Sequence, residues 1–252
     1  QTDNFIELIW NNSITNCTNM FRNCSNITEI NLSNFNTSTV TDMSSMFSDC
    51  LSLSSLNLSN FDTSQVISMD CLFCHCKSLT SLDLTFFDTS NVTYMGSMFK
   101  GCSSLTLLDL SNFDTSNVVD MGFMFEGCSS LISLYLYTFD TSNVTYMGSM
   151  FKGCSNLTSL YLFNFDTSNV TDMGSMFSDC LSLTSLDISN FDISQVTYTF
   201  KMFYNCINLE YINLNNFNES EIDPIYYSEM FYYVPENIVI CINESINEDK
   251  IF

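Results

Sequence analysis

Apolar residues fall along this chain in a fixed order. Cys102, Leu105, Leu108, Leu110, Phe113, Val118, Met121, Met124 and Phe125 are separated by serine, threonine, asparagine and aspartate, and the order then starts again. Phe35, Phe61, Phe87, Phe113, Phe139, Phe165, Phe191 and Phe217 stand 26 residues apart. Cys24, Cys50, Cys76, Cys102, Cys128, Cys154, Cys180 and Cys206 keep the same interval. Two ladders in step over most of a chain identify a solenoid, in which each repeat is one coil that buries its apolar edge only by stacking on its neighbours.

Each coil has two parts with different periods. Leu105-x-x-Leu108-x-Leu110 ends in strict alternation, which predicts a short strand with one buried face; stacked coils then form one parallel sheet with neighbours about 4.8 Å apart. Val118-x-x-Met121-x-x-Met124-Phe125 has three- and four-residue spacing, which predicts a short helix with its apolar stripe inward. Asp114, Thr115 and Ser116 precede it and offer side-chain oxygens to its first free amides. Gly101, Gly127 and Gly153 lie just before the repeat cysteine, and Asn23, Asp49, His75, Asp179 and Asn205 fill that slot elsewhere. These residues tolerate positive φ best, so the slot reads as a left-handed helix exit.

The repeat divides the chain into an amino-terminal extension (1–8), a single solenoid (9–242) and a polar tail (243–252). The last coil, 217–242, departs from the pattern. It gains about two residues, contains Pro224 and Pro235, and carries Tyr226, Tyr227, Tyr232 and Tyr233. Asn237 to Ile242 keep the character of a strand. This coil is expected to be a cap or an end-on interface, because an open solenoid end exposes a pairing edge.

Leu-x-x-Leu-x-Leu-x-x-Phe followed by Met-Phe-x-x-Cys-x-x-Leu resembles the BspA-like leucine-rich repeats. The stretch Asn164-Phe165-Asp166-Thr167-Ser168-Asn169-Val170-Thr171-Asp172-Met173-Gly174-Ser175-Met176-Phe177 is similar to the 26-residue bacterial surface-protein subtype. The resemblance spans residues 14 to 217. It implies an α/β solenoid: a leucine-rich-repeat-like right-handed coil of about nine 26-residue turns, with a parallel sheet on one face and short helices on the other. It also implies a secreted or cell-surface protein of the kind often linked to adhesion, and it brings no catalytic residues. The 12 cysteines are many for a bacterial member.

Charge narrows the partners. The net charge is −22, from 28 acidic and 6 basic residues, and no cations cluster as nucleic acid or an anionic membrane surface would require. No run of 18 apolar residues is long enough to insert into a membrane. The chain starts at Gln1 without a basic-then-apolar leader, and is expected to be a mature, processed form. Asn-x-Ser/Thr sequons are frequent, with Asn91, Asn143, Asn169, Asn218 and Asn243 as candidate N-glycosylation sites. An extracellular location is expected.

Candidate chemistry is sparse. Cys71-Leu72-Phe73-Cys74-His75 matches a haem-attachment pattern, and Cys76 adds a zinc-type ligand. Phe73 and Cys76, however, occupy inward slots and His75 the left-handed slot, so these side chains do not converge. Cys71 and Cys74 are instead read as a disulfide, local or intermolecular. Stacked coils point the ladder cysteines in parallel, whereas a disulfide needs them turned toward each other; they are read as buried thiols. Asp62, Asp88, Asp114, Asp140, Asp166 and Asp192 form a carboxylate row, read as turn caps, with a calcium ladder as the alternative.

Tyr135, Tyr137, Tyr161 and Phe163, with Leu107 and Ile132 nearby, fall on the outward face of the strands. They mark a contact patch for protein or sugar, or else a tyrosine ladder packed across strands. With His75 the only histidine, no acid, base and nucleophile constellation is available, and neither an enzyme nor a cofactor is expected. The sequence reads as an extracellular scaffold for adhesion or matrix structure, with a protein or glycan ligand. The alternative is a filament in which copies stack end to end through Tyr226, Tyr227, Tyr232 and Tyr233.

Overall fold

A computed structural model describes residues 13–32, 34–217 and 229–242. The extension 1–8, the tail 243–252, Pro224, Tyr226 and Tyr227 lie outside them. Parallel bridges join Asn16, Asp42, Ser68, Tyr94, Asp120, Tyr146, Asp172 and Tyr198 in succession, so equivalent residues of successive coils lie on one another. Phe21, Phe47, Phe73, Phe99, Phe125, Phe151, Phe177 and Phe203 form a continuous stack with ring centroids 5.6 to 5.8 Å apart. Valine, methionine, leucine and cysteine rows close around it as one core.

The expected helices do not form: among the described residues there is none. From Tyr94 to Cys102 the chain runs as linked tight turns. Met98, Lys100 and Cys102 donate to the carbonyls of Met95, Ser97 and Phe99. The alternate amides of Met95, Ser97, Phe99 and Gly101 donate to Asp120, Gly122, Met124 and Glu126 of the next coil. Left-handed residues are the cause. Ser97 (φ 57) and Gly101 (φ 71) each reverse the chain's twist, so a four-residue helical bond cannot propagate. The inward spacing survives, since Met95, Met98, Phe99 and Cys102 are all buried. Linked turns, like a helix, return a side chain to the core every three or four residues.

Asn23, Asp49, His75, Gly101, Gly127, Gly153, Asp179 and Asn205 all have positive φ. The slot before the repeat cysteine is therefore conformational, although it ends a turn and not a helix. A second left-handed row comprises Asn19, Ser45, Cys71, Ser97, Phe123, Ser149, Ser175 and Lys201. Phe123 and Lys201 are poorly suited to this conformation, which costs about 1–2 kcal/mol for a residue with a Cβ.

The single parallel sheet is also broken. Strands β1 (Glu29–Asn31) and β2 (Ser55–Asn57) pair with each other, and β3 (Ser185–Asp187), β4 (Tyr211–Asn213) and β5 (Val239–Cys241) pair in that order, all parallel. The coils around Leu82, Leu108, Leu134 and Leu160 hold no strand. Their backbone contact here is reduced to long bonds such as Thr106 N–H to Thr80 O, 3.2 Å, and Thr158 N–H to Ile132 O, 3.3 Å. Three-residue strands offer few ladder bonds, whereas the turn side makes four in each coil from Cys17 to Asp179, so the turn side sets the stacking. In the last coil the bond offset changes. Phe177 donates to Met202, but Phe203 donates to Met230, which accounts for two inserted residues.

A buried threonine row locks adjacent coils. The hydroxyls of Thr37, Thr63, Thr89, Thr115, Thr141 and Thr167 donate to the carbonyls of Asp62, Asp88, Asp114, Asp140, Asp166 and Asp192, at 2.8 to 2.9 Å. All but Thr115 also accept the amide of that same aspartate. Ile193 takes the next place in this row and is buried. Thr141→Val leaves the amide and carbonyl of Asp166 without partners and is expected to destabilise by about 1–3 kcal/mol. Thr141→Ser keeps both bonds and costs less; urea unfolding of the two variants measures the difference.

Candidate functional site

The exposed aromatics occupy alternate positions of two adjacent coils. Leu134, Leu136, Leu160 and Leu162 turn inward and are buried, while Tyr135, Tyr137, Tyr161 and Phe163 turn outward at 60%, 59%, 65% and 73% exposure. Exposure of this extent makes them the most accessible aromatic group on the strand face. Leu107, Ile132 and Phe86 add exposed apolar area beside them. Among the described residues no ring contact joins these four, in contrast to the stacked core phenylalanines, so mutual packing does not hold them in place.

The rows in which they stand are otherwise polar. One reads Asn31, Asn57, Asp83, Asp109, Tyr135, Tyr161, Asp187, Asn213; the next reads Ser59, Thr85, Ser111, Tyr137, Phe163, Ser189. The window is thus two coils wide, with carboxylates on both sides. Asp109 Oδ1 and Asp187 Oδ1 accept the amides of Ser111 and Ser189 at 3.0 Å. These bonds hold both carboxyls below the usual aspartate range.

The row from Asp62 to Asp192 lies elsewhere on the coil. Each Oδ1 accepts the amide two residues on: Ser64, Ser90, Ser116, Ser142, Ser168 and Ser194, at 2.8 to 3.1 Å. These are Asx turns. The hydroxyl and amide of Ser90 and of Ser168 hold Asp88 and Asp166 below their ordinary values. Among the described residues, no three histidine, cysteine, aspartate or glutamate side chains gather as a metal site.

A second set of carboxylates was not singled out by the sequence. Asp120 and Asp172 lie on the bridged turn-side row, alternating with Tyr94, Tyr146 and Tyr198. Each is partly buried and accepts the amide of Gly122 or Gly174 at 2.8 Å. Tyr146 lies over Gly122, leaving no room there for a Cβ. Burial pushes Asp120 and Asp172 above the ordinary aspartate value. Asp70 is raised by burial and then by Asp120 and Asp42.

A raised carboxyl makes the folded state bind a proton more readily than the unfolded one. The ionised form therefore costs stability as pH rises above about 4, and the cost is relieved as pH falls. Asp120→Asn retains an oxygen for Gly122 and removes the charge. It is expected to raise the melting temperature by a few degrees at pH 7, and the gain should vanish when wild type and variant are melted below the ordinary aspartate pKa.

Cys71 and Cys74 are joined by a disulfide, with Cα atoms 4.8 Å apart. Phe73 and Cys76 are buried in the core and His75 takes the left-handed slot. The ladder cysteines are free and buried, except Cys24, which is free and partly exposed. Each thiol from Cys50 to Cys206 donates to a phenylalanine carbonyl of the preceding coil, from Phe21 to Phe177, at 3.1 to 3.2 Å. Burial pushes the Cys50 thiol up to about 11 and those of Cys102, Cys154 and Cys206 up to about 12. The ladder is a row of thiol hydrogen bonds, a role that spacing alone did not reveal.

Asn91, Asn143 and Asn169 are exposed, and their amide nitrogens donate to Ser64, Ser116 and Ser142 carbonyls at 2.7 to 2.8 Å. Asn218 and Asn243 lie outside the described residues. Tyr232 and Tyr233 meet edge-on at 4.4 Å, and both rings pack against Tyr204. Among the described residues, no helix is long and apolar enough to cross a membrane.

The family model described as "Mycoplasma protein of unknown function, DUF285" matches residues 5–83 and 132–238, most of the chain. No curated protein matches. A leucine-rich repeat protein from Bacteroides ovatus is similar at 18% identity and a TM-score of 0.42, covering 91% of this chain and 66% of that one. This chain thus spans just under two thirds of that protein's length. A leucine-rich cell surface protein from Faecalibacterium prausnitzii is similar at 15% identity and a TM-score of 0.35, covering 92% of this chain and 77% of that one.

Proposed function

We propose, for a chain that belongs to the DUF285 family, a non-enzymatic role as an extracellular repeat scaffold that presents an aromatic window to a protein or glycan partner, in adhesion or in a surface matrix. The observation that carries this reading is the break in two polar rows. Where neighbouring coils place aspartate, asparagine, serine or threonine, Tyr135, Tyr137, Tyr161 and Phe163 stand exposed. Contiguous exposed apolar area costs solubility unless something covers it. The bland chemistry of the rest supports the same reading. The core rows are apolar, the single histidine serves a turn, and the polar surface is acidic and rich in hydroxyls.

An extracellular setting is supported by the frequent sequons and by the Cys71–Cys74 disulfide, a bond that persists in oxidising compartments. The BspA-like resemblance of the repeat agrees with it. The triple variant Tyr135→Ser, Tyr161→Ser, Phe163→Ser is expected to melt close to wild type. Its binding to immobilised extracellular-matrix proteins and to a glycan array should fall at least tenfold. A variant that unfolds while its binding per folded molecule stays constant would assign the window to packing alone.

A second reading is favoured by the exposed Tyr232 and Tyr233 at the carboxy-terminal end of the described coils. In it the chain is a filament subunit, stacked head to tail. Concentration-dependent rods in negative-stain images are expected on that reading, and monodisperse monomers at high concentration in size-exclusion chromatography would end it.

A further inference from the structure

We infer that the partner of the aromatic window is a cationic protein segment whose arginine or lysine side chains lie over the tyrosine faces and reach the carboxylates on either side. The inference rests on the reading of the window as a contact surface and adds the chemistry of what it contacts. Three observations carry it.

The first is the order of the row. Asp83 and Asp109 precede Tyr135 and Tyr161, and Asp187 follows them, each one coil apart. Two aromatic faces with acids at both ends have the form that a cation recognises, since the ring quadrupole attracts positive charge at its face and the carboxylates attract it at the edge.

The second is that the acids are fixed and ionised. Asp109 and Asp83 each accept at one oxygen, from Ser111 and Thr85, and Asp187 accepts from the Ser189 amide at Oδ1 and from Asn213 Nδ2 at Oδ2; all three residues are exposed. Local hydrogen bonds hold all three below the usual aspartate range.

The third is that the described cations stand elsewhere, four of the five in ion pairs. Arg22 pairs with Asp49, Lys100 and Lys152 with Glu126, and Lys201 with Glu229, while Lys77 sits in the turn after Cys76. No described lysine or arginine stands in the window's rows. With a net charge of −22, the whole field draws a basic partner in and repels an acidic one.

The test must separate recognition by the window from general attraction to an acidic protein. Fluorescence anisotropy of the full chain with a fluorescein-labelled arginine–glycine repeat peptide provides the measure. Tyr135→Asp with Tyr161→Asp continues the aspartate row and adds negative charge while deleting both ring faces. Binding is expected to weaken about tenfold or more, although the protein has become more acidic. The pair Asp109→Asn with Asp187→Asn is expected to weaken binding about threefold or more.

Unchanged or tighter binding by the aspartate variant would overturn the inference, because attraction by net charge alone predicts that result. Should the aspartate variant fail to fold, Tyr137→Ser with Phe163→Ser asks the same question without added charge. Neutral cellohexaose serves as the second probe. If it binds wild type and is lost in Tyr135→Ser with Tyr161→Ser, while peptide binding ignores every variant, the window is a contact surface for sugar and the cationic assignment falls. If neither probe responds to any window variant, the contact reading falls with it.

Discussion

Hydrogen bonds between coils on the turn side hold this molecule in register. In seven successive coils, from that of Cys17 to that of Met173, four alternate amides reach carbonyls of the next coil, and amides between them close turns within their own coil. From Met95 to Cys102, seven of the eight amides therefore have backbone partners, four of them across the seam. A coil alone would leave the crossing donors unpaired at about 1–3 kcal/mol each when buried. Neighbours are thus required by the backbone as well as by apolar area. The phenylalanine stack, the thiol row and the threonine row follow the same spacing because they hang from this ladder.

The two faces then acquire different duties. The turn side is polar-bonded, tightly spaced and partly buried, with Asp120 and Asp172 set among tyrosines and glycines. The strand side is loosely paired through its middle coils, and its outward positions are free to vary because stacking does not depend on them. A row can therefore change from aspartate to tyrosine for two coils without disturbing the core. That freedom is what allows a repeat made for stacking to carry a local surface. The aromatic window sits where pairing is weakest, so it makes little contribution to the fold.

Much of this was legible in the chain. The inward positions of Val118, Met121, Met124, Phe125 and Cys128 follow from spacing, and all are buried. The left-handed slot at Gly101 and His75 follows from which residues tolerate that conformation. The expected helices are absent among the described residues, and spacing alone does not reveal it, because linked turns and a helix share the same inward period. The residue that distinguishes them, at Ser97 or Phe123, has no compositional mark: serine, phenylalanine, cysteine and lysine all occupy it. Beside Asp114, Thr115 has the character of a helix-capping residue, whereas its side chain is buried and its hydroxyl bonds to the next coil. Burial of a polar side chain by the stacked neighbour is a property of the seam, and a single repeat does not contain it. The outward placement of Tyr135 and Tyr161 was readable from alternation, while their bracketing by Asp109 and Asp187 needed the rows to be laid side by side.

Ile193 interrupts the hydroxyl row that clips each coil to the one after it. The seam that follows therefore lacks a bond that six earlier seams possess, and it adjoins the coil whose register is lengthened by two residues. In a one-dimensional stack, local opening starts where the nearest-neighbour coupling is smallest. The seam after Ile193 keeps the β4–β5 ladder and the Phe203–Phe231 stack in its place, while the middle seams, which hold no strand, keep the threonine clip, so the two deficits fall on different seams.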